Sequence, residues 1–227
     1  MVIDSHEHIM FPAKMQLDKM DEAGVDKAVL FCTAPHPEKA GTLSELEAEM
    51  AALNKILAGS NTKEDNISRL KKNIAEVYGI GEFTPGSEQQ IMQLETIFQA
   101  LKNTRIYPVW VHTFHPVTMN GIKCLMSLCE KYPGIPVIFG HLGGSNWMDV
   151  IKFAKEHDDV YLDLSAAFAS IAAKMALTEL PESCLYSSDA PYGEPYLYRQ
   201  LIEFVSPDKR TAEMALGENI SRLLELN

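Results

Sequence analysis

Between Val2 and Asp189 the chain repeats one pattern: a short, nearly continuous apolar run, a polar break, then a longer stretch with apolar residues at steps of three and four. Short runs of Val, Ile, Leu and Phe read as strands buried on both faces, and steps of three and four place side chains on one helical face. Strands are predicted from the N-terminus to His8 and over 27–32, 77–83, 106–113, 135–141, 160–165 and 184–189. Helices are predicted over 14–23, stopped by Gly24, and over 43–58, 66–76, 87–102, 118–131, 146–156 and 168–178, with further helices finishing the chain. The 43–58 helix carries Leu43, Leu46, Met50, Leu53 and Leu57 on one face. Thr42 with Glu45 and Ser44 with Glu47 both fit a capping box at its start, and Gly59 fits its end. Strands alternating with helices imply an α/β fold with a parallel sheet covered by helices. A closed (β/α) barrel and an open, doubly wound sheet both satisfy that order.

Composition narrows the class of protein. At 227 residues, 46% hydrophobic and 22% charged, the chain can bury one sizeable core, so residues 1–227 are expected to form a single domain. The net charge of −11 argues against a nucleic-acid partner, which needs clustered Lys and Arg. Cys32, Cys124, Cys129 and Cys184 lie in apolar segments without a CxxC pair and read as reduced core residues. No basic region precedes a long apolar run, and no segment reaches the roughly 20 apolar residues of a membrane span. The expectation is a cytoplasmic protein that acts on a small molecule, with no membrane partner.

The polar residues at the strand ends choose between barrel and open sheet. Val2-Ile3-Asp4-Ser5-His6-Glu7-His8 runs from an apolar start into two histidines one residue apart. Side chains two apart on a strand point the same way, so His6 and His8 can grip one metal ion. Glu82, His112, His141 and Asp189 each end a later strand. In a barrel such ends converge on one mouth, whereas an open sheet spreads them. Parity agrees: Asp4, His6 and His8 share a face, as do Ile80 and Glu82, Trp110 and His112, Val137, Phe139 and His141, and Leu185, Ser187 and Asp189. Four histidines and two carboxylates of one parity point to a zinc or hard-metal site. Asp4 is expected as a buried partner beneath the ligands, with Glu7 facing away. His36, in a loop, and His157, near a helix end, read as structural.

Taken together, Asp4-Ser5-His6-Glu7-His8, Pro108-Val109-Trp110-Val111-His112-Thr113, Gly140-His141-Leu142-Gly143-Gly144, Leu162-Asp163-Leu164-Ser165 and Ser187-Ser188-Asp189-Ala190-Pro191-Tyr192-Gly193 resemble the amidohydrolase-2 branch of the metal-dependent amidohydrolase superfamily over nearly the whole chain. The resemblance implies a distorted TIM barrel in which the HxH pair, the later histidines and the final aspartate surround one or two divalent ions. Gly79-Ile80-Gly81-Glu82 also resembles the glutamate strand of the TatD-like hydrolases, where the carboxylate ligates metal. One feature departs from the family. Its barrel has eight strands, but two helices and no clear strand fall between 27–32 and 77–83, so the third strand is expected to be missing. The gap would be covered by the 43–58 helix or by a partner subunit in a homo-oligomer; the alternative is a short strand hidden from the pattern.

The resemblance implies hydrolysis of a small amide, lactone or ester by metal-activated water, with Asp189 shuttling the proton. With two ions, His6, His8 and Asp189 would hold one, His112 and His141 the other, and Glu82 would bridge; zinc is the expected metal and manganese the alternative. With one ion, His6, His8, His112 and Asp189 would bind it, leaving His141 to polarise the carbonyl. His115, Trp110 and Tyr192 are candidate substrate contacts, with Phe114 and Trp147 as further walls. A decarboxylase of the same superfamily is the main alternative. It needs a cationic partner for a carboxylate, and Arg199 is the only distant candidate. A degenerate barrel that binds metal or ligand without turnover is the other.

Overall fold

The computed structural model describes residues 1–8, 13–31, 56–60, 78–102, 107–167 and 169–226. Eight parallel strands stand side by side in chain order: β1 (Ile3–His8), β2 (Lys27–Phe31), β3 (Ile56–Ser60), β4 (Gly79–Phe83), β5 (Val109–His112), β6 (Val137–Gly140), β7 (Val160–Asp163) and β8 (Cys184–Leu185). Helix α1 (Ala13–Ala23) follows β1, α2 (Glu88–Gln93) and α3 (Glu95–Leu101) follow β4, and α4 (Met119–Lys131), α5 (Trp147–Ala154) and α6 (Ser170–Glu179) follow β5, β6 and β7. After β8 come α7 (Pro195–Val205), α8 (Lys209–Glu213) and α9 (Asn219–Leu223). Local chemistry sets several starts: the hydroxyls of Ser87 and Thr118 accept from Gln90 N and Gly121 N, Asp208 accepts from Thr211 N, and Pro195 opens α7. Among the described residues no helix is long and apolar enough to cross a membrane.

The expected absence of the third strand is overturned. Backbone register pairs Ala28, Val29 and Leu30 with Ile56, Leu57 and Ala58, and Gly59 and Ser60 with Gly79 and Ile80. Ile56-Leu57-Ala58 is a very short apolar run, and Leu57 also falls in step with the helical positions before it, so periodicity assigns it to the end of a helix. Pairing decides otherwise, because without β3 two parallel edges, on β2 and β4, would be left open. The rest of the predicted 43–58 helix, the 66–76 helix and His36 lie outside the described residues.

Two apolar layers hold the fold. Ile3, Val29, Phe31, Trp110, Ile138 and Leu185 meet inside the barrel, plugged from below by Ile220 of α9 and by Leu224 just after it. Their neighbours Ala28, Leu30, Val109, Val111, Val137 and Phe139 face outward onto the helices. Parity is therefore corrected in three strands, β1 among them, where Ile3 faces inward with His6 although alternation pairs Asp4 with His6. Ile80, Val137 and Phe139, expected inside with Glu82 and His141, pack in the outer layer instead. Glu82 turns inward because the chain breaks step at Gly81, whose φ of +125 suits glycine, and His141 does so because the chain leaves β6 at a φ of +59. β1 shifts register between Asp4 and Glu7.

Because β8 is only two residues long, the ends of the sheet meet through single bonds rather than a ladder. Ser5 N donates to Tyr186 O at 2.9 Å, Asp189 N to His6 O at 2.8 Å, and His8 N to Ala190 O at 2.6 Å. The result is a distorted TIM-like barrel. Trp110, expected at a substrate wall, is fully buried in the barrel interior. Trp110→Ala should cost about 3–5 kcal/mol of stability, read as a lower urea midpoint. Phe204→Ala, at a side chain that is 87% exposed, should change it by no more than about 0.5 kcal/mol.

Candidate metal centre

The strand ends deliver His6 and His8 from β1, Glu82 from β4, His112 from β5, His141 just past β6, Asp163 from β7 and Asp189 just past β8. His6 rests edge-on against Phe31, ring centroids 5.4 Å apart, so the apolar interior forms the floor. His141 and Asp189 both adopt left-handed backbone, φ +59. That conformation costs roughly 1–2 kcal/mol in an ordinary residue, and the packing around each must sustain it. After His141, Gly144 has φ +56, and a side chain there would strike Phe114.

Glu82 divides the cluster into two lobes. Its Oε2 lies 3.3 Å from His6 Nε2 and 3.5 Å from His8 Nε2. Its Oε1 lies 3.2 Å from His112 Nδ1 and 3.4 Å from His141 Nε2. Asp189 Oδ1 joins the first lobe, 3.1 Å from His8 Nε2 and 3.6 Å from His6 Nε2. In each lobe, His6 with His8 and Asp189, and Glu82 with His112 and His141, the donor atoms lie within 4.8 Å of one another.

The hydrogen bonds behind the rings aim their free nitrogens inward. His6 Nδ1–H donates to Asp163 Oδ2 at 2.6 Å, leaving Nε2 buried without a hydrogen-bond partner. His112 Nε2–H donates to the carbonyl of His115 at 3.1 Å. His141 Nδ1–H donates to Ser165 Oγ at 2.8 Å, and that hydroxyl donates to Asp163 Oδ1 at 2.5 Å. His112 Nδ1 and His141 Nε2 face each other 2.9 Å apart, and Glu82 Oε1 lies 3.2 Å from the first and 3.4 Å from the second. In neutral rings bonded in this way both atoms present lone pairs, which repel at that distance unless a proton or a cation joins them. Four imidazole nitrogens and two carboxylates around such gaps fit divalent metal, and the backing bonds are those that orient metal-binding histidines.

The amidohydrolase family model matches residues 84–226, more than half of the chain. The chain belongs to the amidohydrolase family. No curated protein matches it. Among solved structures it is similar to the 2,6-dihydroxybenzoate decarboxylase of Rhizobium, at 15% identity, TM-score 0.72, over 99% of this chain and 98% of that one. It is likewise similar to the 5-carboxyvanillate decarboxylase of Sphingomonas paucimobilis, at 15% identity, TM-score 0.74, over 100% and 99%. A third is the dihydroxybenzoic acid decarboxylase of Polaromonas sp. JS666 with bound manganese and 2-nitroresorcinol, at 15% identity, TM-score 0.68, over 100% and 97%. At that identity the likeness establishes the fold.

In this amidohydrolase a cavity of about 370 Å³ opens over the donors, walled by Thr84, Phe114, Ala166 and Tyr192. Of the expected substrate contacts, Tyr192 lines it, while the His115 side chain is exposed and outside the lining, and Trp110 lies in the barrel core. Trp147 packs half-buried against the outer core instead of the cavity. Arg199 is remote, held by Glu203 and the carbonyls of Ala23 and Gly24 beside a larger cavity of about 810 Å³ at the opposite end of the barrel. The two cationic side chains of that cavity are paired within it, Arg199 with Glu203 and Lys209 with Glu213. His157 is structural: it donates to Phe153 O and stacks on the Phe153 ring. Asp163 and Ser165 were missed as site residues, although Asp163-Leu164-Ser165 ends a predicted strand as the other candidates do.

Electrostatics tie the lobes to protonation. Burial raises the Glu82 carboxyl, but the attraction of His6 and the close approach of the His112, His141 and His6 nitrogens outweigh it and hold it well below the usual range. Burial lowers His6, yet Glu82 and Asp163 raise it well above normal. In metal-free protein the depressed Glu82 contributes stability above its unfolded value, about 4.3, and loses it as pH falls through its folded value. The raised His6 contributes below about 6.5 and loses it as pH rises through its folded value. The melting-temperature difference between chelated wild type and chelated Glu82→Gln should therefore be largest near pH 5–6 and shrink on the alkaline side.

Proposed function

We propose that this amidohydrolase is a metal-dependent hydrolase of a small amide, lactone or related ester. The observation that carries it is the division of Glu82, one oxygen toward His6 and His8 and the other toward His112 and His141. His6, His8 and Asp189 would hold one divalent ion and His112 with His141 a second, with Glu82 reaching both. Zinc suits this nitrogen and carboxylate set, and manganese is the alternative. Ions in such sites supply Lewis acidity and make a water molecule more acidic. The close approach of His141 to His112 favours a shared lobe over a separate role for His141 as carbonyl polariser.

The chain's own groups handle the proton and the substrate. Asp189 lines the cavity with its side chain 15% exposed. It takes the proton of the attacking water and returns it to the leaving nitrogen or oxygen as the acyl bond breaks. Phe114 and Tyr192 pack the carbon skeleton and limit water entry, and Thr84 offers a hydroxyl. A second reading, decarboxylation of an aromatic acid, draws support from the likeness to decarboxylases. It calls for a cation to meet the carboxylate, and among the described residues no Lys or Arg lines the cavity.

Incubation with esters, lactones, amides and aromatic acids separates the two readings: hydrolysis yields acid with alcohol or amine, and decarboxylation yields carbon dioxide. Chelation should abolish turnover, and zinc or manganese should restore it. Asp189→Asn, assayed at matched metal content, should lower kcat by about 10²–10⁴ with KM nearly unchanged. Carbon dioxide release without ester, lactone or amide cleavage would overturn the hydrolase reading.

A further inference from the structure

Asp163 and Ser165 lie outside the cavity lining. Both are fully buried at the end of β7. One oxygen of Asp163 holds His6 of the first lobe at 2.6 Å. The other accepts the Ser165 N–H at 2.8 Å and the Ser165 hydroxyl at 2.5 Å, and that hydroxyl accepts from His141 of the second lobe at 2.8 Å. Among the described residues the Nδ1 of each ring has this one partner. We infer that Asp163 and Ser165 are positioning residues that couple the two lobes, so that an ion in one lobe helps to assemble the other. The inference rests on the two-lobe reading of Glu82.

The physical route is short. A cation at His6 Nε2 makes its Nδ1–H a stronger donor and draws the Asp163 carboxylate into one orientation. A planar carboxylate cannot turn one oxygen without turning the other, so the Ser165 hydroxyl is fixed as well. That hydroxyl sets the tilt of the His141 ring and the aim of its Nε2. Reciprocity requires the effect to run equally in reverse. The charge pattern agrees: burial pushes Asp163 up, but His6 and the Ser165 hydrogen bond hold its carboxyl at about 2, an ionised acceptor for both lobes.

The chain of bonds is asymmetric, and the asymmetry makes it testable. Ser165 serves only the His141 lobe, whereas Asp163 serves both. Protein stripped with chelator and titrated with cobalt(II) reports stoichiometry by elemental analysis and each ion's environment by visible absorption. Wild type should take up two equivalents cooperatively. Ser165→Ala should weaken one ion about 10–100-fold, leave the other within about threefold and remove the cooperativity, and Ser165→Thr should restore it. Asp163→Asn should weaken both ions. A purely structural role would lower the melting temperature of the variants without separating the two ions. Two equivalents in wild type, with Ser165→Ala weakening both ions alike or neither, would overturn the coupling while leaving the two-lobe reading intact. One equivalent in wild type would overturn the two-lobe reading and the coupling with it. Should Asp163→Asn fail to fold by circular dichroism, the Ser165→Ala and Ser165→Thr pair decides alone.

Discussion

Everything in this molecule depends on the seam where β1 meets the segment after β8. Three backbone hydrogen bonds and the Asp4 carboxylate, which accepts from His6 N and Ser188 N at 3.1 and 3.0 Å, join residues more than 180 positions apart in sequence. Each backbone bond is worth only about 1 kcal/mol net, but an orphaned buried donor costs about 1–3 kcal/mol, so the seam resists opening one bond at a time. Burial lifts the Asp4 carboxyl to about 7 against the pull of the Ser188 and His6 groups that it accepts from. Glu7, whose side chain meets that of Asp4, is also buried and accepts from Gln16 of α1. The seam thus fixes His6 and His8 beside Asp189, and the first lobe of the candidate metal centre exists only because these segments meet.

The second lobe is built differently. Its histidines come from neighbouring strands β5 and β6, and the strain of left-handed backbone at His141 is held by the buried turn that follows. What unites the lobes is carboxylate chemistry above and below the rings: Glu82 between the facing nitrogens, and Asp163 behind His6 and, through Ser165, behind His141. An assembly of acceptors and lone pairs this dense is electrostatically unfavourable when empty and neutral. Protons answer the problem in the metal-free protein, as the raised His6 and His112 show. A divalent cation would answer it as well.

Much of this was legible in the chain. The alternation of apolar runs with helical stretches specifies a parallel α/β fold, because buried parallel strands and amphipathic helices leave different periods in sequence. The HxH pair and the polar residues ending later strands mark the site, because barrel strand ends converge. What stayed hidden was short or out of step. Ile56–Ser60 could not be told from a helix end, and Ile80 and Phe139 break the inward parity because Gly81 and His141 turn the chain between strand and site. Trp110 reads equally as pocket wall or core, and only its packing with Phe31 assigns it to the core.

Taken alone, then, the sequence determined which residue types could bind metal and roughly which strand ends would carry them, since both follow from local chemistry and period. Only the tertiary structure decided that β3 fills the sheet, that Glu82 stands between two pairs of histidines, and that Asp163 reaches both lobes. Those facts depend on closure and on where each strand leaves its regular step, and contacts across the barrel between residues distant in the chain leave no periodicity to read.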